Sequence, residues 1–92
     1  MAFVLRFTPA GMTAAKYDEC IDQLKAAGAG APRGRSYHVA YGSDNGIHVV
    51  DVWDSMEAFD AFGQTLVPIL QSLGVDPGQP DVQEVQNIVI GS

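Results

Sequence analysis

Two histidines, three tyrosines and one cysteine are the side chains of this 92-residue chain most able to move a proton or attack a carbon centre. Four of them, Tyr37, His38, Tyr41 and His48, fall within one stretch from Arg35 to Asp54, RSYHVAYGSDNGIHVVDVWD. A neutral imidazole suits general-base work near neutral pH, and a phenol hydroxyl can orient or protonate a carbonyl oxygen. His48 with Tyr37 and Tyr41 therefore forms the candidate catalytic set. The same residues also read as ordinary strand aromatics and a hydrogen-bonded histidine, and an open cavity beside them would separate the two readings. His38 and Asp51 make a second constellation, in which a carboxylate fixes the tautomer of an imidazole. No Ser, Cys or Thr is evidently placed to serve as its nucleophile.

Other chemistries fall away on spacing and charge. Two histidines and scattered carboxylates show no metal-ligand pattern such as H-E-x-x-H, so no metal is expected. Cys20 sits among Asp18, Glu19 and Asp22, whose charges oppose thiolate formation. The segment GAGAPRG (28–34) follows a helical pattern and leads into a strand, the reverse of a phosphate-binding loop, and reads as a flexible connector. The net charge is −6, from five basic and eleven acidic residues, and only Arg33 and Arg35 stand close together. Neither nucleic acid nor an anionic membrane surface is an expected partner. Those two arginines, beside the connector, either meet an anionic substrate at a pocket mouth or are simply solvated. The opening MAFVLRFTPAG does not read as a secretory leader, and no apolar run approaches the ~18–20 residues of a membrane span. A lone cysteine allows no internal disulfide, which fits a cytoplasmic protein.

The elements that must position these residues follow from periodicity. Asn45-Gly46 between two runs rich in Val, Tyr and His signals a hairpin. Whether its loop takes two residues or four, alternation sorts the side chains onto the same two faces. One face carries Tyr37, Val39, Tyr41, His48, Val50 and Val52; the other carries Ser36, His38, Ala40, Ile47, Val49, Asp51 and Trp53. The longer loop sets His38 directly opposite Asp51. Neither face is polar enough to be a plain solvent face, so both need cover.

Phe3 to Thr8 alternates as a strand and stops at Pro9 and Gly11. Thr13 is a good N-cap for a helix to about Ala27, with an apolar stripe of Ala14, Tyr17, Ile21 and Leu24. Asp54 and Glu57 have capping-box spacing for a second helix, whose apolar side is Met56, Phe59, Phe62, Leu66, Ile69, Leu70 and Leu73. Pro68 predicts a kink in it, and Gly74 ends it. A turn-rich connector, Asp76 to Pro80, then leads to a last strand from Val82 to Ile90.

The order βαββαβ over residues 1–92 predicts one ferredoxin-like α+β domain, a four-stranded antiparallel sheet with two helices on one face. Placing Tyr37, Tyr41 and His48 on the helix side with Phe3, Leu5 and Phe7 yields an apolar pocket. Leu5, Phe7, Tyr17, Ile21, Val39, Val50, Phe59, Phe62 and Leu66 are its expected ligand-binding residues, with Leu24 closing it from the first helix. The other face, with Val4, Ala40, Ile47, Val49 and Trp53, then needs a second copy as cover. With 47% hydrophobic and 17% charged residues, self-association is expected. On that placement Arg6 and Asp51 form an interface ion pair, and Asp51→Ala weakens the dimer rather than ligand affinity.

FVLRFTPAGMT, the strand IHVVDVWDS running into SMEAFDAF, and the closing QEVQNIVI resemble the dimeric α/β-barrel superfamily. Its members include antibiotic-biosynthesis-monooxygenase-like proteins, stress-responsive barrel proteins and polyketide cyclases. The resemblance implies a homodimer whose sheets close a barrel, with a small-molecule pocket between each sheet and its helices. His48, before VVDV, resembles a pocket histidine of the cyclases, although the further histidines those cyclases carry around their second helix are missing here. Neither helix carries the ligand histidine of haem-degrading relatives, so no haem is expected. The resemblance implies a cofactor-independent monooxygenase or cyclase-like enzyme for a small aromatic or polyketide-like molecule. The alternative is a non-catalytic ligand-binding or interaction protein.

Overall fold

The hairpin takes the register expected for the longer loop, with Gly42 opposite Ile47 and His38 opposite Asp51, but Ser43 also pairs with Gly46, so the turn is Asp44-Asn45 rather than the expected Asn45-Gly46. Gly42 makes that closure possible: its φ is +121°, and a Cβ there would lie 2.2 Å from the carbonyl oxygen of Gly46. In this computed structural model, which describes residues 1–91, the hairpin strands are β2 (Arg35–Ser43) and β3 (Gly46–Trp53). The remaining elements are β1 (Phe3–Phe7), α1 (Ala14–Ala26), α2 (Met56–Ser72) and β4 (Asp81–Glu84). The antiparallel sheet has the order β2-β3-β1-β4 and carries both helices on one face, the ferredoxin-like α+β arrangement. Ser92 lies outside the described residues.

The pairing of β1 with β3 decides which hairpin face the helices cover. Phe3 is opposite Trp53, Leu5 opposite Asp51 and Phe7 opposite Val49. Directly opposed residues share a face, so His38, Ala40, Ile47, Val49, Asp51 and Trp53 point toward the helices. Leu5 and Trp53 are fully buried there, packed with Cys20, Leu24, Phe62 and Leu70. Tyr37, Val39, Tyr41, His48, Val50 and Val52 lie on the opposite, open face with Val4 and Arg6. This inverts the expected placement. Both hairpin faces are comparably apolar, and the choice between them belongs to the β1–β3 register, where a one-residue slip exchanges the faces wholesale.

Local signals place the helices well. Thr13 caps α1, its Oγ1 accepting from the Lys16 N–H at 3.1 Å. The cap of α2 is Ser55, whose Oγ accepts from the Ala58 N–H at 3.1 Å, so the Asp54–Glu57 box does not form. The N–H of Asp54 instead donates to the Gly34 carbonyl at 2.7 Å, which draws Asp54 into the chain crossing ahead of the helix. The helix runs through Pro68 without interruption to Ser72. The final strand is shorter than expected: pairing with β1 ends where the Val85 N–H reaches the Ala2 carbonyl at 2.9 Å. Beyond it Ile88, Val89 and Ile90 have no ladder partner among the described residues and are exposed. No helix among the described residues is long and apolar enough to cross a membrane.

Candidate functional site

Between the sheet and the two helices lies a cavity of about 70 Å³. A single water needs only ~10–15 Å³ on the same scale, so the space admits several waters or a small ring. Phe7 and Val49 wall it from the sheet; Tyr17, Cys20, Ile21 and Leu24 from α1; and Phe62, Leu66 and Leu70 from α2. Pro9, Met12 and Pro77 close it from the connecting segments. Against this apolar lining stand Tyr17, Arg35, His38 and Asp51.

Three of these form a hydrogen-bonded chain. Tyr17 Oη lies 2.7 Å from His38 Nε2, and His38 Nδ1 lies 2.5 Å from Asp51 Oδ1. The other carboxylate oxygen of Asp51 accepts from the indole N–H of Trp53 at 3.2 Å. Asp51 is buried, and both of its oxygens are engaged. With the carboxylate accepting at Nδ1–H, the neutral imidazole presents Nε2 as an acceptor, and Tyr17 donates to it. The Tyr17 and His38 rings lie nearly parallel, 5° apart in tilt, with centroids 6.1 Å apart. Burial pushes the Tyr17 hydroxyl above its usual 10.0; the Arg35 guanidinium works against that shift and the Asp51 charge adds to it. Tyr17 therefore holds its proton until a base takes it. Burial likewise raises the Cys20 thiol, so the cysteine at the cavity wall is a poor nucleophile.

Each member owes its place to a local feature. The Thr13 cap starts α1 one turn before Tyr17, whose N–H donates to the Thr13 carbonyl at 2.9 Å. His38 and Asp51 face each other across the hairpin ladder. Arg35 arrives by an irregularity: the register shifts between Arg35 and Tyr37, so Arg35 pairs with Trp53 while Tyr37 pairs with Val52. The extra residue, Ser36, turns Arg35 from the open face to the helix face, the re-aiming typical of a β-bulge. Gly34, at φ +91°, supports this bend; a Cβ there would sit 2.6 Å from that of Ala58 on α2.

Of the expected ligand-binding residues, Phe7, Tyr17, Ile21, Phe62 and Leu66 line the cavity. Leu5 is buried in the core, and Phe59 packs edge-on to Trp53 at 5.6 Å and against Phe7 at 5.7 Å. Val39 and Val50 lie on the open sheet face, as does the expected catalytic set. Tyr41 meets His48 edge-on at 5.5 Å, and Tyr37 and Tyr41 are exposed. None of those three residues borders the cavity. His38 and Asp51, assigned from sequence to a subunit contact, stand inside it. Arg6 is on the open face and approaches Asp81 at 3.8 Å instead of Asp51. Trp53 is core rather than interface. The sequence placed His38 opposite Asp51 only for the longer of two loop alternatives, whose register the structure adopts; nothing in the sequence pattern announced the bulge that brings in Arg35.

No protein-family model matches the chain, and no curated protein matches it in sequence. Solved structures do share its fold. SnoaB from Streptomyces nogalater, described as a cofactor-independent oxygenase, superposes with a TM-score of 0.62 at 20% identity, covering 96% of this chain and 94% of SnoaB. A candidate antibiotic biosynthesis monooxygenase from Chloroflexus aurantiacus gives 0.64 at 19% identity, over 99% of this chain and 100% of that one. Another from Deinococcus radiodurans gives 0.63 at 13% identity, over 100% and 99% respectively. The likeness is one of fold, and it agrees with the ferredoxin-like α+β domain expected from the sequence.

Proposed function

We propose that the chain is a single-domain cytoplasmic enzyme of the cofactor-independent oxygenase or cyclase type, acting on a small aromatic or polyketide-like molecule. The observation that carries this reading is the Tyr17–His38–Asp51 chain opening on an apolar cavity. A substrate with an acidic O–H or C–H binds against Tyr17. The proton passes to His38 Nε2, directly or through the Tyr17 hydroxyl, while Asp51 stabilises the imidazolium and holds its orientation. The Trp53 N–H keeps Asp51 in place. The enolate left behind has two outlets: attack on a carbonyl of the same molecule, or electron donation to O2. In the second, a methylene and O2 yield a carbonyl and water, with no bound redox group required. The description of SnoaB supports this outlet, and the lone, buried Cys20 suits a reducing compartment. In the same proposal, two copies meet through their open sheet faces.

The test is turnover of enolisable aromatic ketones and phenols, followed by O2 uptake and product spectra. His38→Ala is expected to keep the fold and lower turnover by about a hundredfold or more, the scale of a lost general base. Asp51→Asn is expected to lower kcat more than it raises KM. Turnover untouched by His38→Ala would remove His38 from the chemistry. The small volume of the cavity favours a second reading, a non-catalytic ligand-binding protein, in which these substitutions alter binding and no turnover is found.

A further inference from the structure

Among the described residues Arg35 is the sole Lys or Arg on the cavity wall. The chain has eleven acidic residues against five basic ones, so a partly buried guanidinium would be expected to find a carboxylate. It does not. Among the described residues the ion pairs are Arg6 with Asp81 and His38 with Asp51. Asp51 already has both oxygens committed to His38 and Trp53. Arg35 is held by the ring of Phe62, with its Cζ 5.6 Å from the centroid, and by one long bond from Nη2 to the Gly30 carbonyl at 3.3 Å. Its remaining guanidinium donors have no protein acceptor among the described residues.

Position sharpens the point. Arg35 and His38 border the apolar cavity on one side. On the other they border a more open groove formed with Gly30, Pro32, Ser36 and Tyr37. We propose that Arg35 is a specificity-determining residue that binds a carboxylate of the ligand, so that the substrate class is aromatic carboxylic acids. This rests on the cavity reading above: the ring lies against Tyr17 and His38, and the carboxylate sits at the groove. A planar carboxylate matches the guanidinium fork bidentately, and the stack on Phe62 holds that fork ready. The bulge at Ser36 exists on this account to deliver a charge that plain alternation would have sent to the open face.

The experiment is calorimetric titration of the full chain with benzoate and with methyl benzoate, for the unmodified protein, Arg35→Gln and Arg35→Lys. Benzoate is expected to bind the unmodified protein about tenfold or more tighter than the ester, the range of a charge-assisted bond. Arg35→Gln erases this preference by weakening benzoate far more than the ester, circular dichroism and an unshifted melting temperature showing that the fold is intact, and Arg35→Lys retains part of it. Equal affinities in the unmodified protein, or a preference that survives Arg35→Gln, overturn carboxylate recognition. Leu66→Trp, which fills the cavity, distinguishes the two levels of the argument. If both probes bind equally and Leu66→Trp abolishes both, the cavity reading stands and the Arg35 role falls. If neither probe binds, or Leu66→Trp changes nothing, both fall.

Discussion

Burial raises the Tyr17 hydroxyl further above neutrality than its ordinary value, and this leaves a mark on stability. In the folded chain the Tyr17 hydroxyl titrates above 10.0 and the Cys20 thiol above 9.0, in each case chiefly through desolvation. The native state therefore keeps protons that the unfolded chain gives up. Stability from this source is complete below the unfolded values and falls as pH rises from about 9 through the folded values. Tyr17→Phe removes the tyrosine's share of that alkaline loss. Melting temperatures taken from about pH 8 to pH 11 are expected to fall more steeply for the unmodified protein than for Tyr17→Phe above pH 10, and parallel curves would refute the assignment. Asp51 shows the complementary economy: its buried carboxylate is tolerable because His38 and Trp53 occupy both oxygens.

At the level of elements, the site depends on the start of β2. Gly34 adopts a left-handed φ of +91°, its carbonyl accepts from the Asp54 N–H, and α2 packs against it through Ala58. Gly34→Ala is expected to cost about 1–3 kcal/mol in urea denaturation, since a Cβ there is both conformationally strained and in collision. It is also expected to displace Arg35 and weaken the preference for a carboxylate ligand. An alanine variant as stable as the original would show that the bend is not under this constraint. Helix ends were legible because capping is local: Thr13 and a Ser-containing DS pair both precede helical periodicity. The exact cap of α2 was not, because a long-range bond to Gly34 occupies Asp54. The last strand was over-read for a similar reason. Val82, Val85 and the run Ile88 to Ile90 are residue types that strands favour, yet a strand extends only as far as its neighbour pairs with it.

For the whole molecule, the unsatisfied surface is the open sheet face and the tail beyond Val85. Tyr37 and Tyr41 are 56% and 43% exposed, Val39 and Val50 lie between them on that face, and Ile88 to Ile90 are exposed at the chain's end. A second copy is the proposed cover, and dissociation should follow from charging the face. Val50→Asp is expected to shift the mass measured by light scattering from twice 9.8 kDa to 9.8 kDa. An unmodified protein that is monomeric at micromolar concentration would end the dimer proposal. It would leave the cavity untouched, because sheet, helices and all three members of the proton chain belong to one protomer.

The sequence by itself determined what depends on neighbours along the chain: the βαββαβ order, the cap of α1, the hairpin and the two sets of alternating side chains, while the opposition of His38 to Asp51 followed only from one of two loop registers. Only the tertiary structure decided which set meets the helices. Alternation within a hairpin is a property of its own backbone, whereas the side that is roofed depends on how a distant strand, β1, registers against β3. Two nearly equally apolar faces leave no local energy difference to choose between them. The same holds for Arg35, which one extra residue in β2 carried from the open face to the cavity.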